Sequence, residues 1–295
     1  MITDQARQRE RGVDAPWSRD TVLEATVSSA VESRLALALR DRRYPRMCRM
    51  LELWDGHDDE IVLDYGCGSG ADITGLLLHS KVRLAIGAEA GDAALRLARE
   101  RLAVHPSLGE RALLWELAPG SPGLPIREGA FHFILANGAL ARTNDPLAVL
   151  REFRRLLAPG GRANVMVYNR ESVWLHLRVA YERPLADDRP PPRCLEAAFA
   201  EDGRSHGGGD VRLWRPKDFL GLARKAGLVG EFVGGYFSRP EVACVKRSLS
   251  DAADCPVLPR ESRRFLERLT LDSKGLPLHD GRYAGLGGVF RLRRS

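Results

Sequence analysis

Lysine is scarce in this sequence. Of its 45 basic residues only Lys81, Lys217, Lys225, Lys246 and Lys274 are lysine, and the other 40 are arginine. A GC-rich genome produces that bias through codon usage. The net charge of +6 and the pI of about 9.3 therefore do not by themselves point to a polynucleotide partner. The arginines are scattered among acids with no long basic run, which reads as solvated surface. Cysteine pairs are also missing. The five cysteines, Cys48, Cys67, Cys194, Cys244 and Cys255, form no CxxC and are odd in number, so neither a disulfide framework nor a zinc site is suggested. Cys67 stands inside a glycine-rich loop and reads as packing. No apolar run approaches the roughly 20 residues that span a bilayer. The N-terminal stretch MITDQARQRERGVD lacks the apolar core of a secretory signal. There is no internal repeat. With 44% apolar and 28% charged residues, the composition is that of a globular chain, and a soluble cytoplasmic protein is expected.

The pattern then divides the 295 residues into three parts. Residues 1–56 read as an N-terminal helical cap. In TVLEATVSSAVESRLALALRDRRYP, the residues Val27, Val31, Leu35 and Leu39 recur every four positions, which predicts an amphipathic helix with that stripe buried. Pro45 interrupts it, and a short helix follows over Met47 to Leu53. Residues 57–170 alternate strand and helix. Ile61–Asp64, Val82–Gly87, RALLWEL, FHFILAN and RANVMVYN read as strands. Ala71–His79, GDAALRLARERL and the stretch opened by Asp145-Pro146 read as helices, the last ending at Pro159-Gly160-Gly161. This alternation predicts an α/β fold whose mostly parallel sheet is covered on both faces. In residues 171–295 the rhythm breaks. ERPLADDRPPPRC and EDGRSHGGGD read as long surface loops. A helix over Lys217–Ala226, the strand GLVGEFVGGYF, the helix PRESRRFLERLT and a terminal strand GGVFRLRR complete the sheet.

The chemistry concentrates in IVLDYGCGSG, Ile61 to Gly70. In an open parallel sheet, ligands bind beyond the carboxyl ends of the strands at the topological switch point. The first strand ends at Asp64, followed by Gly66, Gly68 and Gly70, and the second ends in Glu89, about 20 residues on. A glycine loop with a distant acid able to hold both ribose hydroxyls implies an adenosine ligand. The GxGxG spacing differs from the dinucleotide fingerprint GxGxxG. A carboxylate directly before the glycines would repel a pyrophosphate, and it suits a cofactor with a cationic amino-acid end.

VLDYGCGSG is similar to motif I of the class I S-adenosylmethionine (SAM)-dependent methyltransferases, and IGAEAGDAALRLARERL to their second motif. The stretch GLPIREGAFHFILANGALARTNDPLAVLREFRRLLAPGGRANVMVYNRES resembles the block that follows in the methyltransferase-11-like group, so that the resemblance runs from Ile61 to Ser172. It implies a Rossmann-like seven-stranded sheet, SAM as cofactor and S-adenosylhomocysteine as product. It also implies that Gly66, Gly68 and Gly70 shape the loop under the methionine part, and that Asp64 helps hold its amino group. Glu89 would bind the ribose hydroxyls, and Ala136 and Asn137 would line the sulfonium region. Three positions depart from the group's pattern. Phe131-His132 stands where Phe-Asp is usual, and Leu140-Ala141-Arg142 where Leu-His-His is usual. WELAPGSPGLP offers no clear acid for the adenine amino group, although Glu116 is near.

Methyl transfer needs an aligned acceptor and, for a hydroxyl, a group that removes its proton. Candidates beyond the fifth strand are Glu171, His176 and His206, with Tyr168, Asn169 and Tyr181 beside them and Tyr44 in the cap. The ends of the fourth and fifth strands carry Asn137 and Tyr168-Asn169 rather than clustered acids, so no metal is expected. ANGA stands where amino-methylating DNA enzymes carry an NPPY-like motif, which argues further against a nucleic-acid partner. The expectation is methylation of a small-molecule acceptor, foremost a hydroxyl on a sugar or secondary metabolite. The alternatives are N- or C-methylation of a small molecule or peptide, a non-catalytic SAM-binding protein and an RNA methyltransferase. No membrane partner is expected.

Overall fold

The computed structural model describes residues 26–118, 121–141, 143–204 and 211–295. His206 and Arg142 lie outside them.

Along the chain come α1 (Ala30–Arg43), α2 (Met47–Leu51), β1 (Ile61–Tyr65), α3 (Ala71–His79), β2 (Leu84–Glu89), α4 (Asp92–Ala103), β3 (Ala112–Glu116) and β4 (Phe131–Asn137). There follow α5 (Pro146–Leu156), β5 (Leu157–Asn169), a π-helix (Trp174–Glu182), α6 (Arg183–Ala186), α7 (Leu195–Arg204), β6 (Leu213–Trp214), α8 (Pro216–Lys225) and β7 (Leu228–Tyr236). The remainder is α9 (Arg239–Ala253), α10 (Arg260–Glu267), β8 (Leu269–Leu271), β9 (Pro277–His279), β10 (Arg282–Tyr283) and β11 (Gly287–Arg294).

The main sheet runs β3-β2-β1-β4-β5-β11-β7, with the short β6 beside β5. β1 to β5 are parallel, whereas β11 is antiparallel to both of its neighbours. This is the Rossmann-like methyltransferase order, seven strands on the main path with helices on both faces. The chain steps outward from β1 to β3, then returns to place β4 on the other side of β1. The switch point is therefore the crevice between β1 and β4, where Asp64 pairs with Leu135. The reason lies in the residues. β1 is apolar through Leu63 and buried on both faces, as a central parallel strand must be. Two core layers result. One holds Met47, Ile73, Phe133, Met166 and Trp174, and the other Leu63, Ile134, Phe153, Val165 and Phe290.

Local signals explain most boundaries. Asp145 caps α5 by accepting the Ala148 N–H at 2.9 Å, with Pro146 in the first turn. The helix stops at Leu156, before the Pro159-Gly160-Gly161 signal. The chain is already extended at Leu157, which pairs with Phe131, and the Pro-Gly turn sits where the β4–β5 register shifts.

Two expectations are corrected. The stripe Val31, Leu35, Leu39 is not the buried face of α1; these side chains are 75%, 56% and 42% exposed. Ser33, Ala36, Leu37 and Arg40 face inward instead. Arg40 is drawn in by a carboxylate described below. Of the two expected loops, ERPLADDRPPPRC is helical over Arg183–Ala186 and irregular from 187 to 194, and EDGRSHGGGD continues α7 to Arg204 and then lies outside the described residues. Around them the nine-residue π-helix and α7 pack through Trp174, Leu177 and Phe199 into the first core layer.

Candidate functional site

The crevice is built where β1, β2 and β4 end. Asp64, next to last in β1, is 2% exposed. The backbone N–H of Ile73 donates to its carboxylate, while its Oδ2 atom is buried without a hydrogen-bond partner among the described residues. Burial, and then the charge of Asp72, push the Asp64 carboxyl well above the usual range, against the opposing pull of Arg40.

The glycine loop needs its glycines for distinct reasons. A Cβ on Gly66 would stand 2.4 Å from the Ala139 Cβ, so the loop can approach the end of β4 only without one. Gly68 has φ +54, and a Cβ there would meet nothing within 4 Å. It faces open space, where a ligand can lie against bare backbone. Gly70 caps α3 at its N-terminus.

Glu89 at the end of β2 shapes this loop. Its Oε2 accepts the Gly68 N–H at 2.9 Å, and its Oε1 accepts the N–H groups of Ala90 and Gly91, each at 2.9 Å. A carboxylate has roughly four acceptor sites, so one remains for a ribose hydroxyl.

Asn137 ends β4. Its Nδ2 donates to Asp72 Oδ2 at 2.9 Å, and the other oxygen of Asp72 accepts from Arg40 Nη1. The Met47 sulfur of α2 is 4.0 Å from the same amide. Asp72 in the first turn of α3 thus ties α1 to the end of β4. Ala136, one residue earlier, is fully buried in the second core layer.

Beyond Asn137, three tyrosines from three elements converge. They are Tyr44 after α1, Tyr168 near the end of β5 and Tyr236 at the end of β7, with exposures of 5%, 8% and 0%. The Tyr44 and Tyr236 rings meet edge to face at 6.1 Å, and Tyr168 lies 5.9 Å from Phe199 of α7. Burial, then the neighbouring Tyr44 and Tyr168, push the Tyr236 phenol well above its ordinary range.

The residues considered for proton removal are placed elsewhere. Asn169 Oδ1 accepts the Glu171 N–H at 3.0 Å, and the Asn169 amide donates to the Glu171 carbonyl at 2.7 Å. The Glu171 carboxylate is 3.5 Å from His279 Nδ1, at a cavity of about 210 Å³ that Lys217, Phe232 and Arg282 also line. His176 is 2% exposed, with Nδ1 3.0 Å from Ser262 Oγ and its ring stacked 4.1 Å from Phe265. Burial pushes its pKa down to about 3, so the imidazole is neutral. His132 accepts the Ile61 N–H at 3.1 Å, a bond that ties β4 to the start of β1. Cys67 is buried, and burial pushes its thiol up.

Asp64, Gly68, Glu89 and Asn137 are therefore brought to one crevice, while Glu171 and His176 attach to His279 and Ser262. Sequence reasoning missed Asp72, Arg40 and Tyr236. An acid in a first helical turn reads as a response to the helix dipole. An arginine on a cap helix reads as solvated, and neither carries a spacing that marks a site.

A model of the methyltransferase-domain family matches residues 38–229. Among curated proteins, an uncharacterized 37.1 kDa protein in transposon TN4556 of Streptomyces fradiae is 30% identical over 146 residues, 48% of this chain and 39% of that protein. The chain thus aligns with about two fifths of that relative's length. Among solved structures, the YcgJ protein of Bacillus subtilis superposes with a TM-score of 0.55 at 16% identity, covering 85% of this chain and 99% of that one. A SAM-dependent methyltransferase from Thermotoga maritima gives 0.53 at 18% identity, covering 90% and 96%. Geranyl diphosphate C-methyltransferase from Streptomyces coelicolor, solved with Mg²⁺, geranyl diphosphate and S-adenosylhomocysteine, gives 0.54 at 14% identity, covering 94% and 88%. At such identities these likenesses carry the fold.

Proposed function

The chain belongs to the methyltransferase-domain family, with SAM as its cofactor, and from that premise we propose that it methylates a hydroxyl of a small sugar or secondary metabolite. The observation that supports a small acceptor is the enclosure beyond Asn137. Tyr44, Tyr168 and Tyr236 are buried there beside Asp72 and Arg40, under the helices that precede β1 and follow β5. A polymer would need an open groove at that place. Aromatic walls with phenolic rims suit a compact, partly polar molecule.

The residues fit SAM on two counts. The unpartnered Asp64 oxygen suits an ammonium, and the space over Gly68 suits a ligand lying on backbone. The cofactor supplies an activated methyl group on a sulfonium. Asp64 would hold the amino-acid end, and Glu89, with one acceptor site left, a ribose hydroxyl. Asn137, its amide fixed by Asp72, would border the reacting centre. Proton removal by Glu171 paired with His279 requires that their cavity open onto this enclosure; in its favour, the carboxylate can orient the imidazole and Asn169 fixes the Glu171 backbone at the end of β5. His176, neutral and held by Ser262, serves packing on this reading.

The test is mass-spectrometric detection of methyl transfer from SAM to a panel of sugars and phenolic or polyketide-like metabolites, with matched amine analogues. Methylated hydroxyl acceptors support the reading. Turnover of the amines alone moves the protein to the N-methyl class. Cofactor binding without any turnover makes it a binding protein.

A further inference from the structure

Parts of the chain far apart in sequence meet at the cavity of about 210 Å³ beside the end of β5. Glu171 comes from the chain just after β5, Lys217 from the first turn of α8, and His279 and Arg282 from the β9–β10 hairpin. The hairpin explains the last two. Asp280 and Gly281 form its two-residue turn, with φ +49 and +73, the pattern of a type I′ turn, so that His279 pairs directly with Arg282. Directly paired residues share one face of the ladder. The imidazole and the guanidinium therefore arrive side by side.

The floor of the cavity is fixed. Asn169 accepts the Glu171 N–H, and its amide donates to the carbonyls of Glu171 and Gly285, the latter at 3.1 Å. The His279 side chain is 9% exposed, and its ring stacks 4.9 Å from Phe265. The charges around this floor do not cancel. Asp280 is held by Arg268 at 2.6 Å. The Glu171 carboxylate has His279 Nδ1 at 3.5 Å and accepts no hydrogen bond from the described residues. Lys217 and Arg282, both exposed at the rim, make no ion pair or side-chain hydrogen bond with any described residue. Two cations thus stand against one carboxylate, and one positive charge is left over. Single exposed cations are ordinarily just solvated. These two converge on one concavity, above an acid that is held in place.

We propose that this cavity binds a small hydroxylated molecule that carries a carboxylate or a phosphate, of the class of sugar acids and sugar phosphates. Its anionic group lies between Lys217 and Arg282, which receive it through charge-assisted hydrogen bonds. A hydroxyl of the same molecule donates to the Glu171 carboxylate, and Phe232 and Pro216 supply the apolar wall. The cavity is smaller than the roughly 300–1,000 Å³ of sites for drug-sized molecules, which suits one ring or a short chain. Where the cavity opens onto the enclosure beyond Asn137, this molecule is the methyl acceptor itself, and the inference then rests on the proposed function. Where it does not, the molecule is a second ligand of the protein.

Titration calorimetry on the full chain at low salt tests this with glucose 6-phosphate, glucuronate and neutral glucose as probes. At least one anionic probe should bind about 10-fold or more tighter than glucose. That advantage should shrink at high salt, because both cations are exposed. Lys217→Gln and Arg282→Gln should each cut it by about 10-fold, and Lys217→Arg, which keeps the charge, should keep most of it. A thermal melt reports that the variants are folded. Equal affinity for all three probes overturns the proposal, and so does binding of none of them. An advantage that survives Lys217→Gln combined with Arg282→Gln places the anion elsewhere and overturns it too. Adding SAM separates the two sources. A probe that is methylated belongs to the acceptor class, and one that binds through Lys217 and Arg282 but is never methylated is a second ligand. The binding measurement needs no methyl transfer. Failure of the proposed function therefore leaves the anion site standing, and failure of the anion site leaves methylation of neutral hydroxyls standing.

Discussion

Glu89 Oε2 accepts the backbone N–H of Gly68 at 2.9 Å, so the acid that ends β2 holds the loop that follows β1. The same carboxylate also takes the N–H groups of Ala90 and Gly91. If Glu89 holds the ribose as proposed, Glu89→Ala removes a ribose acceptor and a loop fastening together. Cofactor affinity should fall by about 10- to 100-fold, since hydrogen bonds to a charged group contribute roughly 1.5–3 kcal/mol. The core should hold, because Glu89 belongs to neither core layer. Titration calorimetry beside a thermal melt separates these effects, and an unchanged affinity would remove Glu89 from the site.

If Asp64 holds the ammonium as proposed, it links cofactor binding to pH. Burial comes first among the causes that raise its carboxyl pKa. Asp72 on α3 and Glu89 on β2 act in the same direction, and Arg40 on α1 and the Ile73 N–H oppose them. Cys67, which also faces it, stays a neutral thiol. An ammonium needs the ionised carboxylate. Affinity for SAM should therefore rise with pH through the raised pKa, and binding should release protons, seen as a buffer-dependent enthalpy. The effect on folding has the opposite sign. A carboxyl whose pKa is raised in the folded state contributes fully below its unfolded value, about 3.9, and loses that contribution as pH rises through the folded value. Asp64→Asn should melt higher than wild type at neutral pH without ligand, by a few degrees for about 1 kcal/mol, and bind SAM more weakly. A variant that melts lower would show the carboxylate to be stabilising as it stands.

Glu171 and His279 separate chemistry from binding. If this pair takes the acceptor proton, Glu171→Gln should lower kcat by about 10²- to 10⁴-fold, the usual range for a general base. SAM affinity should stay as it was. Single-turnover kinetics on an acceptor found in the panel would measure this. A kcat within threefold of wild type would return the base to the tyrosines beyond Asn137.

The strands and helices around the crevice were legible because each is specified locally. FHFILAN is bounded as a strand at both ends, Ala71–His79 as a helix, and Asp145-Pro146 marks a helix start that the Ala148 bond confirms. The buried face of α1 was not legible. Its periodic apolar stripe is Val31, Leu35 and Leu39, yet an ion pair at Arg40, 32 residues away from Asp72 in sequence, turns that stripe outward. No local pattern encodes such a pair. α9 is a different case. Ser238-Arg-Pro-Glu241 is a capping box preceding an apolar-periodic run, a signal present in the sequence and overlooked among the charges around it.

That capping box carries the last prediction. Glu241 is fully buried. Its Oε2 accepts the Ser238 N–H at 2.7 Å, and its Oε1 the Leu286 N–H at 2.8 Å, which fastens the turn before β11 to the start of α9. Burial outweighs these bonds and pushes its carboxyl up to about 7. The folded value thus lies above the unfolded one. The contribution of Glu241 to stability is complete below about pH 4.3 and is lost as pH rises towards 7, on the order of 3 kcal/mol in all. Glu241→Gln removes the titration but places an amide where two N–H donors converge. It should be less stable than wild type at pH 4.5, and the gap should narrow or reverse by pH 8. Denaturant unfolding at the two values measures it. Parallel curves for the two proteins would mean that Glu241 ionises at its ordinary pKa despite its burial.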